Sequence, residues 1–190
     1  MRIKTALAGM AAMFTATAAF AVDYSAAMRG YMEQNLASWV AAPEIVQAIA
    51  AQNTQTAGYD ASQIDALDQQ WRAQVGTGST PLIDAVMNNP ASEFLRQQVA
   101  LSGGAITEIF IMDSMGLNVA ASGVTSDYWQ GDEAKFQQTY AIGPDAVHFS
   151  DVEFDESSQS FQAQISMPVV DESGKVIGAI TVGVLADALL

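Results

Sequence analysis

Two stretches decide the fold of this chain: ITEIFIMDSMGLNVAAS at residues 106–122 and QSFQAQISMPVVDESGKVIGAITVGV at residues 159–184. Each contains two apolar, strand-like runs joined by a short segment rich in Asp, Ser and Gly, the residues that favour tight turns. Ile106–Met112 is almost wholly apolar, which predicts a strand covered on both faces. Residues 161–167 alternate, with one predicted face polar (Gln162, Gln164, Ser166) and the other apolar (Phe161, Ala163, Ile165, Met167). The pattern predicts two antiparallel hairpins.

Between these hairpins lie a polar segment at 123–140 and one further strand-like run at 146–154. The order of strand, turn, strand, insert and three strands predicts a five-stranded antiparallel sheet with one long connection. Because binding residues are concentrated on loops held by a rigid scaffold, we expect a ligand pocket at that connection.

The half of the chain that precedes the sheet reads as helical. Apolar residues recur at spacings of three and four from Tyr24 to Trp39, which predicts a long N-terminal helix. Pro43 either kinks this helix or begins a second one at its first position. A further helix is expected at 61–75, with Ser62 as its candidate cap, and shorter helices follow. Helices followed by an antiparallel sheet define a single α+β domain.

The first residues, MRIKTALAGMAAMFTATAAFA, have the pattern of a secretory signal peptide: a positive start, a short apolar run and a small-residue cleavage site. We expect cleavage after Ala21. The mature domain then spans 22–190, with a helical part at 22–104 and a sheet part at 105–190. Export to a bacterial periplasm is the expected localisation.

Composition excludes several classes of function. The chain has no cysteine, so disulfides, thiolate metal sites and cysteine nucleophiles are excluded. Its formal net charge is −14, and binding of nucleic acid requires clustered Lys and Arg, so no nucleic-acid partner is expected. No serine stands in a Gly-x-Ser-x-Gly turn. We therefore expect neither an enzyme nor a cofactor.

The chain resembles the Cache family of extracytoplasmic sensor domains, which are related in shape to PAS domains. A long N-terminal helix and smaller helices precede the sheet, IFIMDSMGLNVAAS resembles the opening hairpin of the family, and ISMPVVDESGKVIGAITVGV resembles its closing hairpin. The resemblance implies a five-stranded antiparallel sheet with helices on one side and a ligand pocket on the other. It also implies dimerisation through the N-terminal helix at 24–51.

Most Cache domains lie between two transmembrane helices and feed a kinase, a cyclase or a chemotaxis module. This sequence resembles a free-standing periplasmic form, so we expect a small-molecule sensor that acts through a separate membrane-bound kinase, cyclase or chemoreceptor. The alternative is a ligand-free interaction protein that docks on a membrane-bound kinase or cyclase.

The connection between the strands contains the strongest candidate site. Asp127, Tyr128 and Trp129 combine aromatic rings with a carboxylate, a set that could clamp a small cationic or amide-bearing ligand through stacking, cation–π contact and ion pairing. In the family, aromatic and polar residues of this segment line the pocket. The alternative is that Trp129 covers the core. The full set of candidate ligand-binding residues is Tyr128, Trp129, Asp127, Met112, Asp155 and His148.

Two further features of the sequence bear on metal binding or titration. Asp151, Glu153, Asp155 and Glu156 alternate with other residues in the way that oxygen ligands of calcium could, but the spacing does not match the twelve-residue calcium loop, and a solvated face is favoured. His148 is the sole histidine. It could act as a base, a metal ligand or a pH sensor, or it could be a hydrogen-bonded structural residue. No metal site is expected.

Overall fold

The computed structural model describes residues 24–77, 80–155 and 159–190. The predicted signal peptide at 1–21 and Glu156 of the acidic run lie outside these residues. The helices that precede the sheet are α1 (Ser25–Tyr31) with a π-helical turn (Met32–Leu36), α2 (Pro43–Thr56), α3 (Ala61–Gln74), α4 (Pro81–Met87) and α5 (Pro90–Leu101). Within the described residues, no helix is long and apolar enough to cross a membrane.

The N-terminal helical stretch is two helices, which decides between the alternatives left open by Pro43. Pro43 stands at the first position of α2, and Ala42 before it has extended backbone angles, φ −60° and ψ 147°. Proline lacks an N–H and favours this conformation in the preceding residue, so it begins a helix instead of continuing one.

The N-cap of helix α3 lies two residues before the predicted cap. Asp60, not Ser62, is the N-cap: its carboxylate accepts the Gln63 N–H at 2.9 Å, and the Gln63 side chain accepts the Asp60 N–H at 3.0 Å. This reciprocal capping box satisfies two backbone donors that the first turn of a helix leaves without partners.

The sheet contains β1 (Ile106–Met112), β2 (Asn118–Ala121), β3 (His148–Phe149), β4 (Glu153–Asp155), β5 (Ser160–Val170) and β6 (Val176–Leu185). Its order is β2-β1-β6-β5-β3, with β4 also paired to β5, and all of these pairings are antiparallel. The α+β class and the antiparallel sheet predicted from the sequence are confirmed. Helix α6 (Ala134–Gln137) lies in the connection between β2 and β3, and a 3-10 helix (Ala186–Leu189) follows β6.

Two short strands, β3 and β4, pair with β5 at the edge of the sheet, where the sequence predicted one strand at 146–154. The chain leaves the ladder at Ser150, whose N–H donates to the Gln164 carbonyl at 3.0 Å while its hydroxyl accepts the Gln164 N–H at 2.8 Å. A side-chain oxygen thus replaces the backbone carbonyl, and pairing resumes only at Glu153. Competition of this kind between serine side chains and the backbone commonly interrupts regular structure.

The helices α1, α2 and α5 cover one face of the sheet. Buried Ile109, Ile111, Ile165, Ile180 and Val182 belong to the same apolar cluster as Met28, Leu36, Ile45, Ile49 and Leu95 from the helices. Burying each isoleucine contributes about 1.5–3 kcal/mol. This layer is the main core of the domain.

The turn between β1 and β2 ties α2 to the sheet. Asp113 is fully buried, and its carboxylate accepts hydrogen bonds from Thr56 Oγ1 at 2.8 Å and Gln52 Nε2 at 3.1 Å. It also accepts the N–H groups of Met115 and Leu117 at 2.8 and 3.0 Å. A buried carboxylate needs such partners, so the predicted turn residue is also the link between helix and sheet.

Candidate functional site

The face of the sheet opposite α1, α2 and α5 bears polar side chains. The alternation along β5 turns Gln162 and Gln164 to this face, and Glu108 reaches it from β1 across β6. Glu108 and Gln164 are both paired with Gly183 of β6. A Cβ at this glycine would lie 2.5 Å from Thr107 Oγ1 and 2.8 Å from Glu108 Cγ, so the absence of a side chain lets the polar groups meet above β6.

Hydrogen bonds join these side chains into one network. Gln164 Nε2 donates to Glu108 Oε1 at 3.0 Å, and Gln162 Nε2 donates to the same oxygen at 3.4 Å. Thr107 donates its hydroxyl proton to Gln162 Oε1. The Glu108 carboxylate is therefore held in place by amide donors, which leaves it preorganised for a further partner on its open side.

The connection between β2 and β3 (residues 122–147), which we call the covering segment, lies over this network and supplies a cation. Lys135, from α6, has a side chain that is only 15% exposed, and its Nζ forms an ion pair with Glu133 at 2.8 Å. The same ammonium lies 5.4 Å from the centroid of the Phe110 ring, on the sheet face below. Gln130 Oε1 accepts from Lys135 Nζ at 3.3 Å. Lys135 thus connects the covering segment to the sheet by a cation–π contact with Phe110.

Between the sheet and this cover lies a cavity of about 240 Å³, which we call the sheet-face cavity. Its lining residues are Glu108, Phe110, Val124, Thr125, Ser126, Gln130, Lys135, Asp155, Gln162 and Gln164. The volume is below the roughly 300–1,000 Å³ typical of drug-sized ligands. The cavity suits a small, polar molecule that engages carboxylate, ammonium and amide groups.

Tyr128 and Trp129 lie in the covering segment but do not line the sheet-face cavity. Tyr128 is 6% exposed and stacks on Trp71 of α3, with ring centroids 5.4 Å apart and an interplanar angle of 22°. The Trp129 indole donates to the Met115 carbonyl at 2.9 Å and covers the β1–β2 turn at Gly116. Tyr128 instead lines a second cavity on the helix side of the domain.

Helix α3 explains this placement. Asp68 Oδ1 accepts the backbone N–H groups of Tyr128 and Trp129 at 2.9 and 3.0 Å. Arg72 bridges the Asp68 and Asp127 carboxylates, at 2.7 and 3.0 Å. Asp127 is therefore turned towards α3, and it lines neither of the two cavities. Ligand binding by Asp127, Tyr128 and Trp129 stays a prediction.

The other predicted residues are dispersed. Met112 is fully buried in an apolar cluster with Phe110 and Leu117, and it lines neither cavity. Asp155 lines the sheet-face cavity. His148 is paired with Ser166 at the outer strand, and burial, aided by the nearby charge of Lys135, lowers the pKa of its imidazole. The structure thus brings Asp155 to the cavity and leaves Met112 in the core.

Most of the cavity-lining residues were not singled out in the sequence. Glu108 is the lone charge in the apolar run of β1, and Gln162 and Gln164 stand on the polar side of an alternating strand. A sheet face that is covered yet polar is the signal that could have identified them. Within the described ranges, no group of three or more His, Cys, Asp or Glu side chains could hold a metal ion.

Comparisons with known proteins find similarity in solved structures only. No protein-family model and no curated protein matches the chain. The sensor domain of the V. cholerae histidine kinase DctB has a TM-score of 0.45 at 14% identity, over 87% of this chain and 53% of that one. The ligand-binding domain of the Campylobacter jejuni chemoreceptor Tlp3, in complex with 4-methylisoleucine, has a TM-score of 0.42 at 10% identity, over 87% and 61%.

An extracellular ligand-binding receptor from Desulfohalobium retbaense has a TM-score of 0.41 at 15% identity, over 76% of this chain and 25% of that one. The chain therefore spans between 25% and 61% of the length of these three structures. They are sensor and ligand-binding domains, the class of protein that the sequence resembles. At TM-scores below 0.5, the assignment of fold rests on the strand order and register described above.

Proposed function

We propose that this protein is a small-molecule sensor whose ligand binds in the sheet-face cavity. The observation that carries the proposal is the network of Glu108, Gln162 and Gln164, which places a carboxylate and two amides on a covered sheet face. Apolar side chains would fill such a layer at lower cost, because buried polar groups must be desolvated. Their presence beside a cavity favours recognition of a polar ligand.

The charges of the cavity favour a ligand with hydrogen-bond donors. Glu108 and Asp155 contribute carboxylates, whereas Lys135 is the cation and is already paired with Glu133. The chain as a whole carries a formal charge of −14, which attracts cations and repels anions. A small molecule with an ammonium or amide group, and with an acceptor for Lys135, fits this set.

Signalling would then proceed through the cover of the cavity. A ligand that contacts both Glu108 on the sheet and Gln130 or Lys135 in the connection favours the closed arrangement of that segment. A periplasmic location and a separate membrane-bound kinase, cyclase or chemoreceptor as partner are parts of the proposal that come from the sequence. Dimerisation through the N-terminal helix is a further part. Met28 and Leu36 already lie in the domain core, so a dimer would use the other sides of that helix.

Native mass spectrometry after incubation with a small-molecule extract of bacterial cells tests the proposal. We expect the wild-type protein to retain a small molecule, and we expect Glu108→Gln to lose it because the substitution removes the carboxylate while keeping the size of the side chain. Glu153→Gln is the matched control, since Glu153 is an exposed acid on β4 that lines neither cavity.

Retention of the same molecule by the wild-type protein and by Glu108→Gln would place the ligand elsewhere. A wild-type protein that retains nothing, yet captures a kinase or cyclase from membranes, would favour the ligand-free interaction protein.

A further inference from the structure

A second cavity, larger than the first, lies on the helix side of the domain. It has a volume of about 640 Å³ and is bounded by α2, α4, the start of α5 and the edge strand β2. We call it the helix-side groove. It shares no lining residue with the sheet-face cavity. Its volume falls within the roughly 300–1,000 Å³ that small-molecule sites occupy, and clefts between helices are common places for such sites.

The walls of the groove carry apolar side chains together with uncharged polar ones, namely Gln47, Gln52, Gln55, Thr56 and Asn89. Ala48 and Ala51 of α2 face Leu82 and Val86 of α4, and Val119 of β2 lies among the lining residues. Glu44 is the one charged residue among those described as lining it, and it is exposed. Without Lys or Arg in the wall, and in a chain of net charge −14, the groove disfavours anions.

Tyr128 adds a phenol to this largely uncharged lining. Its side chain is 6% exposed and lines the groove together with Tyr59. Among the described residues, no hydrogen bond joins either hydroxyl to a protein partner. Neither hydroxyl is among the buried side-chain atoms that lack a partner in the described residues, so both are accessible from the groove. The pKa of the Tyr128 phenol, ordinarily 10.0, is raised further by burial and by the charges of Asp113 and Tyr59, so the hydroxyl keeps its proton well above neutral pH.

We propose that the helix-side groove is a second binding site, for an uncharged and mainly apolar molecule with a polar group that hydrogen-bonds to Tyr128 and Tyr59. The stack of Tyr128 on Trp71 and the backbone hydrogen bonds from Asp68 hold the phenol in place without using its hydroxyl. The rigid ring and free hydroxyl are what a preorganised recognition group requires.

Fluorescence titration with N-phenyl-1-naphthylamine tests this site. The probe is uncharged, aromatic and carries one N–H. Anilinonaphthalene sulfonate has the same rings plus a negative charge. We expect saturable binding of the uncharged probe with a stoichiometry of one per chain, and about tenfold or more weaker binding of the sulfonate, which corresponds to about 1.4 kcal/mol.

Two neighbouring alanines of α2 give a matched pair of variants. Ala51 and Ala50 are both exposed, but only Ala51 lines the groove. Phenylalanine in a helix carries the same propensity cost at either position, so both variants should fold alike. We expect Ala51→Phe to weaken the uncharged probe at least about tenfold and Ala50→Phe to change its affinity less than about twofold. Tyr128→Phe keeps the stack on Trp71 and should weaken the probe about threefold to tenfold, through the lost hydrogen bond.

The proposal is overturned if the uncharged probe does not saturate, if the sulfonate binds equally well, or if Ala51→Phe and Ala50→Phe have the same effect. Each of these results would indicate nonspecific adsorption to apolar surface. Because Glu108 does not line the groove, Glu108→Gln should leave probe binding unchanged, which separates this test from that of the sheet-face cavity.

Discussion

The two faces of the sheet differ in the side chains that they bury. On the helix face, Ile111, Ile165 and Ile180 are fully buried against α2 and α5. On the opposite face, Glu108, Gln162 and Gln164 hydrogen-bond to one another beneath a covering segment. The same strands build both faces, because successive residues of a strand point to opposite sides. The difference indicates that the helix face provides the main core, whereas the opposite face combines a smaller apolar cluster around Phe110 and Met112 with a polar region beside the sheet-face cavity.

Polar residues on the second face are satisfied by each other. Ser166 and Thr181 are fully buried on neighbouring strands, and their hydroxyls lie 3.0 Å apart. Mutual hydrogen bonding removes most of the cost of burial but adds little net stability. Replacing both members of such a pair by apolar side chains should therefore cost far less than truncating a buried isoleucine on the helix face, and the following predictions test that contrast.

The largest effect is expected on the helix face. Ile180→Ala should lower the free energy of unfolding by about 2–5 kcal/mol, because it removes buried methyl groups and leaves a cavity in a layer that cannot fully collapse. Urea unfolding followed by far-UV circular dichroism measures the change. The double variant Ser166→Ala/Thr181→Val, which removes both members of the hydroxyl pair on the other face, is the comparison. An equal loss in the two variants would contradict the contrast between the faces.

The two Asp-x-x-Gly turns provide a second contrast. Asp113→Ala should cost about 2–4 kcal/mol, because it leaves the N–H groups of Met115 and Leu117 without their acceptor and removes the links to Thr56 and Gln52 of α2. Asp171 occupies the corresponding position in the β5–β6 turn but is only half-buried, and its carboxylate accepts hydrogen bonds within its own turn, from Ser173 and Lys175. Asp171→Ala should therefore be much milder in the same urea titration.

A smaller effect is expected from the buried hydroxyl pair. Ser166→Ala alone should cost about 1–3 kcal/mol because it leaves the Thr181 hydroxyl without its partner, whereas Ser166→Ala combined with Thr181→Val should recover most of that loss. The coupling free energy from the double-mutant cycle is the measured quantity. Strictly additive losses would show that the two hydroxyls do not act as a pair.

The smallest expected effect concerns pH. The pKa of His148 lies below its ordinary value of 6.5, first because of burial and then because of Lys135, so the unfolded chain takes up this proton more readily than the folded one. The contribution of His148 to stability is thus full above pH 6.5 and is lost as the pH falls below it. The urea midpoint should drop more between pH 7.5 and pH 5.5 for the wild-type protein than for His148→Gln. The same drop in both would assign the pH dependence to other groups.

Local sequence patterns predicted the hairpins well. The alternation along β5 and the turn at Asp171 depend on neighbouring residues, so they can be predicted from a single sequence. Tertiary contacts decided the positions of Tyr128 and Trp129. Asp68, some 60 residues earlier, binds their backbone N–H groups and draws the aromatic pair towards α3. Nothing in the local spacing of the covering segment shows this distant carboxylate.

The division of β3 from β4 was missed for a similar reason. Ser150 leaves the ladder because its hydroxyl bonds to Gln164 on another strand, and a serine in a strand-like run does not reveal its partner. Gln162 and Gln164 were assigned to the correct face, but polarity on a strand usually indicates solvent. Only the covering segment, which the structure places over them, turns that face into a cavity.

The central claim is that the polar sheet face binds a small molecule, and a thermal-shift panel tests it most directly. The panel would contain amino acids, amines, amides, organic acids, purines and sugars, and it would be applied to the wild-type protein and to the variant Glu108→Gln/Gln164→Leu. A cooperative urea unfolding transition for each protein would first establish that both are folded. We predict that at least one compound raises the Tm of the wild-type protein by roughly 5–10 °C at about a hundred times its dissociation constant. The variant should not respond to it. A panel without such a compound, or one that stabilises both proteins equally, would contradict the account.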